Sequence, residues 1–135
     1  MREYLFRGKT VDTGRWVEGY DVYDESGQTT EEPAAYIYYL NKHPCGWDLI
    51  PCEVIPETVG QYTGLTDKNG KKIFEGDIVN LFLFDGVEKG IIKFNDIMCR
   101  FMFFTKEGAY SFDSDCIFEV IGSIHDNPEL LEGDM

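Results

Sequence analysis

The sequence predicts a mainly β fold, with a small barrel or strongly bent sheet in the C-terminal part. Three observations predict it. Large rings are abundant, with 10 Phe, 8 Tyr and 2 Trp, and such side chains pack well on a pleated surface. From residue 57 onward, short β-type runs recur at close spacing with turn residues between them. Three prolines within residues 43–56 exclude a long helix from the middle of the chain.

The first element is a hairpin. Two β-type runs, Tyr4 to Thr10 and Arg15 to Tyr23, flank the turn cluster Asp12-Thr13-Gly14. From Asp24 to Pro33 the chain is polar and acidic, without large apolar groups, and reads as a loop. Ala34 to Leu40 reads as a strand on its tyrosines and isoleucine. The stretch HPCGWDLIPCEVIP, with Pro44, Pro51 and Pro56, then suggests an irregular connection.

After Pro56 the signals become regular. Thr58 to Thr63 is β-prone, and Asp67-Lys68-Asn69-Gly70 is a hairpin turn, because Asn and Gly tolerate the positive φ that primed turns demand. Ile73-Phe74 leads through Glu75-Gly76-Asp77 into a strand from Ile78 to Phe84, broken by Asp85-Gly86. Further strands are expected at Gly90 to Phe94, Met98 to Phe104, Ala109 to Phe112 and Cys116 to Ile121. At the end, Asn127-Pro128-Glu129-Leu130-Leu131-Glu132-Gly133 carries a cap residue, proline at the first helical position and a closing glycine. It predicts a helix of one or two turns.

The chain of 135 residues is the size of one domain, and its 43% hydrophobic content allows a core without a disulfide or metal staple. The expected organisation is a single domain over 1–135. Residues 1–23 form the hairpin, 24–56 the acidic, proline-interrupted connection, 57–125 the barrel, and 126–135 the short helix and tail. No apolar run reaches membrane-spanning length and no secretory signal opens the chain. A cytoplasmic protein with four cysteines as thiols is the expectation.

Three segments together, REYLFRGKTVDTGRWVEGY, TVGQYTGLTDKNGKKIFEGDIV and EVIGSIHDNPELL, resemble the YopX family. The likeness runs in the same order over most of the chain, and residues 24–56 are its least typical part. It implies a protein of bacteriophages and prophages with no established biochemical activity, mainly β, with an SH3-like barrel in the C-terminal part. It carries no catalytic residues and no cofactor. The signature positions Gly60, Tyr62, Gly64, Asp67, Asn69, Gly70, Phe74, Gly76 and Asp77 all have structural explanations. The glycines supply turns, bulges or close approach. Tyr62 and Phe74 suit a core, and Asp67 and Asn69 can bond their own turn backbone.

Other constellations have simpler readings than chemistry. His43, Cys45 and Cys52 fall within ten residues but lack the paired spacing of a zinc site, and Cys99 or Cys116 would have to complete it. Catalysis by a cysteine would need His43 or His125 as its base, and neither lies in a recognisable signature. Asp113 and Asp115 alternate as strand neighbours would, yet an exposed acidic turn explains them. No glycine run is followed by Lys-Ser/Thr, so there is no phosphate loop.

The net charge is −13, concentrated as −7 in residues 21–58 and −7 in 113–135, while 59–112 is balanced. Such a surface repels nucleic-acid phosphates and anionic membranes. Lys68, Lys71 and Lys72 form the one local basic cluster of the barrel region, which argues against direct nucleic-acid binding, although a weak nucleic-acid-binding SH3-like module is one alternative. The leading expectation is a non-enzymatic accessory protein acting through protein–protein contacts, with self-association through open strand edges as a further expectation. An acidic DNA-mimicking decoy is the other alternative. Specificity is expected in residues 24–56, outside the signature.

Overall fold

The computed structural model describes residues 4–24, 34–113 and 115–131. They form twelve β-strands and two single-turn 3-10 helices, so the mainly β expectation holds. The chain divides into two compact units, Met1–Gln61 and Tyr62–Met135.

In the first unit, β1 (Phe6–Lys9) pairs antiparallel with β2 (Trp16–Gly19), from Phe6↔Gly19 to Lys9↔Trp16. The turn between them is closed by the Thr10 N–H donating to the Arg15 carbonyl at 2.8 Å and the Gly14 N–H to the Thr10 carbonyl at 3.0 Å. The expected hairpin is therefore present. Its second run is not one strand, however. At Gly19 the chain leaves β1, and β3 (Asp21–Asp24) pairs with β4 (Ala35–His43). A Cβ on Gly19 would lie 2.3 Å from the Tyr38 carbonyl oxygen, and the Tyr20 N–H donates to that same oxygen at 2.9 Å. The backbones approach where only glycine fits. The polar loop expected at 24–33 lies, beyond Asp24, outside the described residues.

Residues 43–56 overturn the expectation of an irregular connection. Gly46–Val54 is β5, paired with β4 along its full length from Ala35↔Val54 to His43↔Gly46. Each proline sits where no ladder donor is needed. Pro44 is in the two-residue loop, Pro51 is on β5, an edge of the three-stranded sheet β3-β4-β5, and Pro56 is the first residue of a 3-10 turn, Pro56–Thr58. The inward side of this sheet buries Ala35, Ile37 and Val54 completely, packed with Phe6, Val17, Val22 and Val59.

Strand β6 (Gly60–Thr66) serves both units. Gly60 and Gln61 pair with β1, and Tyr62 and Thr66 pair with β7 (Lys72–Phe74). In the second unit, β8 (Asp77–Leu83), β9 (Gly86–Asn95), β10 (Arg100–Thr105), β11 (Gly108–Ser111) and β12 (Ile117–Ser123) form an antiparallel sheet in the order β11-β10-β9-β8-β12. The strands expected from residue 57 onward are present, but β11 and β12 remain edges. No closed barrel forms among the described residues, and the sheet is open. Alternate residues build its core, with Ile73, Val79, Ile92 and Phe103 fully buried. The rings of Phe112 and Phe103 lie 4.9 and 5.7 Å from that of Phe118.

The expected C-terminal helix is reduced to one 3-10 turn, Pro128–Leu131. The Asn127 side chain reaches back to β12. Its Oδ1 accepts the Ser123 N–H at 3.3 Å, and the Lys89 ammonium takes the Leu130 carbonyl at 2.9 Å. Glu132 and Gly133 lie outside the described residues.

Candidate functional site

The signature block is tied together by its own polar groups. Asp67 is buried, and its carboxylate accepts three backbone N–H groups. Asn69 and Lys71 donate to Oδ1 at 2.9 Å each, and Val120 of β12 donates to Oδ2 at 3.0 Å. Burial pushes this carboxyl up, but the donors from Val120, Lys71 and Asn69, with the Lys71 charge, outweigh burial and hold it below the usual carboxylate range. Beside it, the Lys68 N–H donates to the Phe118 carbonyl at 2.9 Å. Gly70 takes φ +82° but Asn69 does not take positive φ, so the expected primed turn is replaced by one centred on Lys68-Asn69, in which the Gly70 N–H donates to the Asp67 carbonyl at 3.0 Å.

Asp77 is 1% exposed, and its Oδ2 accepts the Phe74 N–H at 2.8 Å. Gly76 (φ +92°) donates to the Ile92 carbonyl at 2.7 Å and accepts from Ile124 at 2.9 Å, so this turn is fastened to both β9 and the end of β12. Tyr62 and Phe74 are buried with their rings 5.6 Å apart. Gly60 is buried against β1, and Gly64, at φ +92°, lies within the register shift between β6 and β7. The signature residues thus hold one another, with β9 and β12 as their anchors.

Two clefts lie in the second unit. The smaller, about 210 Å³, is lined by Gly64, Thr66, Asp113, Cys116 and Phe118. Asp113 is used as a turn acceptor, taking the Asp115 N–H at 3.0 Å, with the Cys116 thiol 3.5 Å from the same oxygen. Burial, and then the bond to Asp113, push the Cys116 thiol up. That opposes the thiolate a nucleophile needs. The larger cleft, about 360 Å³, is lined by Asn80, Val87, Lys89, Thr105, Glu107 and Leu131, without a histidine or cysteine.

Among the described residues no group of three or more His, Cys, Asp or Glu is placed to hold a metal ion. Cys45 is in the β4–β5 turn, and Cys52 stands opposite Ile37. His125 belongs to the second unit. Two lysines of the basic cluster are engaged within the protein. Lys68 pairs with Glu119 at 3.7 Å and lies 4.6 Å from the Phe82 ring, and Lys72 lies 5.8 Å from that of Tyr62. Among the described residues no helix is long and apolar enough to cross a membrane.

One feature of the first unit has no role in its core. Opposite the buried side of β3-β4-β5, the register assembles four rows: Tyr23–Tyr36–Glu53, Asp21–Tyr38–Pro51, Leu40–Leu49 and Lys42–Trp47. Tyr23, Leu40, Leu49 and Trp47 are between 42% and 60% exposed. Tyr23 and Tyr36 lie 6.5 Å apart, and the Lys42 ammonium is 5.5 Å from the Trp47 ring. Pro44 and Pro51 hide this face in the sequence, because proline ordinarily marks a break in a strand. The alternation on either side of Pro44-Cys45 is the signal that could have revealed it.

A model of the YopX protein family matches residues 5–132. The chain belongs to the YopX family. This YopX chain is also similar to a solved protein, EF1440 from Enterococcus faecalis, at 25% identity and a TM-score of 0.59, covering 98% of this chain and 100% of that one. No curated protein matches the chain. The aromatic face falls in residues 21–53, within the span of the family match.

Proposed function

We propose that this YopX protein is a phage- or prophage-encoded accessory protein that acts in the host cytoplasm without catalysis, by docking on another protein. The observation that carries this reading is the outward face of β3-β4-β5. It presents tyrosines, a tryptophan and two leucines in register on three paired strands. Tyrosine and tryptophan are enriched in protein interfaces, where they bring large contact area with few rotatable bonds. An exposed apolar patch rimmed by polar groups marks interaction surfaces more often than accident.

The acidic-decoy reading has less support. On this face the carboxylates Asp21 and Glu53 are separated by tyrosines, which a phosphate mimic does not need.

Affinity capture from host lysate tests the proposal, with the wild-type protein beside a Leu40→Ser, Leu49→Ser double variant. Because both leucines are exposed, the variant should keep its circular dichroism spectrum. The proposal expects specific partners on the wild type that the variant loses. An identical set of partners on both would defeat it.

A further inference from the structure

We infer that the outward face of β3-β4-β5 receives a lysine- or arginine-rich amphipathic helix of a partner protein. This rests on the docking reading above and adds to it the chemistry of the occupant.

The dimensions come first. From Tyr36 to Lys42 the face runs along seven residues of β4, about 20 Å from the first to the last at the rise of a strand. Its width is three strands at the tyrosine end and two at the tryptophan end, about 10 Å at the usual strand spacing. A helix of three to four turns has that length and diameter.

Charge then selects among occupants. Between residues 21 and 58 the chain carries eight acidic side chains against Lys42 alone. On the face itself Asp21 and Glu53 stand at the tyrosine end, and Lys42 stands beyond Leu40 at the other. A second copy would offer one ammonium against two carboxylates while bringing another chain of net charge −13 alongside. That repulsion is only partly screened over the roughly 8 Å Debye length at physiological salt. Nucleic acid and anionic lipid are repelled for the same reason. A cationic helix meets no such repulsion. Its apolar side chains cover Leu40, Leu49 and Trp47, and its cations reach Asp21 and Glu53. Such pairs at a rim steer association and fix orientation.

The test uses the full chain carrying Trp16→Phe, so that Trp47 is the only fluorophore of its kind. The probes are two helical peptides of 14 residues with the same amphipathic pattern, one of leucine and lysine and one of leucine and glutamate. Sedimentation velocity is run on the protein alone. The expected result is saturable micromolar binding of the leucine–lysine peptide, with a blue shift of Trp47 and a monomer without peptide. Leu40→Ser with Leu49→Ser should weaken binding at least tenfold, and Asp21→Asn with Glu53→Gln several-fold. The leucine–glutamate peptide should not bind.

Equal binding of both peptides would overturn the charge inference and leave the docking reading standing. So would a dimer that the leucine substitutions dissolve, because the occupant would then be a second copy. Lysine-peptide binding unchanged by the leucine substitutions would mean attraction to acidic residues elsewhere, and would overturn the inference. Absence of binding by either peptide also overturns it. The docking reading itself fails only if the lysate partners survive the leucine substitutions.

Discussion

The carboxylate of Asp67 accepts the backbone N–H of Val120, 53 residues away, at 3.0 Å. The same side chain closes the Asn69-Gly70 turn through the N–H groups of Asn69 and Lys71. One residue therefore both shapes a local turn and ties it to the last strand.

Asp67→Ala should destabilise the second unit by about 3 kcal/mol, since it strips a charged acceptor from three donors at once. Asp67→Asn should keep part of that support and identifies the charge-dependent share. The folded carboxyl titrates below its ordinary value, so the stabilisation is complete above roughly pH 4, near the unfolded value. It is lost as pH falls through the lower, folded value. Urea unfolding of the wild type and Asp67→Asn should differ most at pH 5–7 and converge in strong acid. A constant difference down to pH 2 would contradict the assignment.

Glycine substitutions should separate two causes. A Cβ at Gly90 would lie 2.4 Å from the Phe104 carbonyl and 2.6 Å from the Phe103 ring. Gly90→Ala should therefore cost about 3 kcal/mol or more through backbone displacement. At Gly70 a Cβ meets open space, but φ is +82°, so Gly70→Ala should cost only about 1–2 kcal/mol from the left-handed conformation. Thermal melts would rank them. A Gly90→Ala protein as stable as the wild type would refute the close approach.

Asp77→Ala should remove the acceptor of the buried Phe74 N–H and cost about 1–3 kcal/mol. The turn at Gly76 should open with it, because that glycine bonds both Ile92 and Ile124. Hydrogen exchange at Phe74 and Gly76 should accelerate together in this variant. Unchanged protection at Gly76 would show the two contacts to be independent.

The thiols should react in order of exposure. Cys45 and Cys99 are exposed, while Cys116 is half-buried with its thiol pushed up by burial and by Asp113. At pH 8 an alkylating reagent should modify Cys45 and Cys99 well before Cys116. Asp113→Asn should speed the Cys116 reaction. Mass spectrometry of a time course reads both effects.

What could be read in advance was local. The hairpin at Asp12-Thr13-Gly14 stands where expected, and a turn forms at Asp67–Gly70, although only Gly70 takes positive φ there and the turn is therefore not of the primed type. Strand β5 was hidden because proline marks a break unless the strand is an edge. That Pro51 lies on an edge depends on which strand is absent beside it. The departure of the chain at Gly19 depends on Tyr38, nineteen residues further on. The missing barrel closure likewise depends on two edges, β11 and β12, that no short window contains. The aromatic face shared this difficulty, since its rows join three strands.

In β4, Ala35 and Ile37 are wholly buried, while Tyr36 and Tyr38 between them look outward. Successive residues of one strand thus answer to different demands. Changes at the inward positions are limited by the volume available in the core, whereas changes at the outward ones leave the core packing untouched. Relatives of this protein can therefore change the outward face in steps of two residues along the hairpin, each step neutral for folding. Variation among them should be periodic, with a quiet position followed by a restless one.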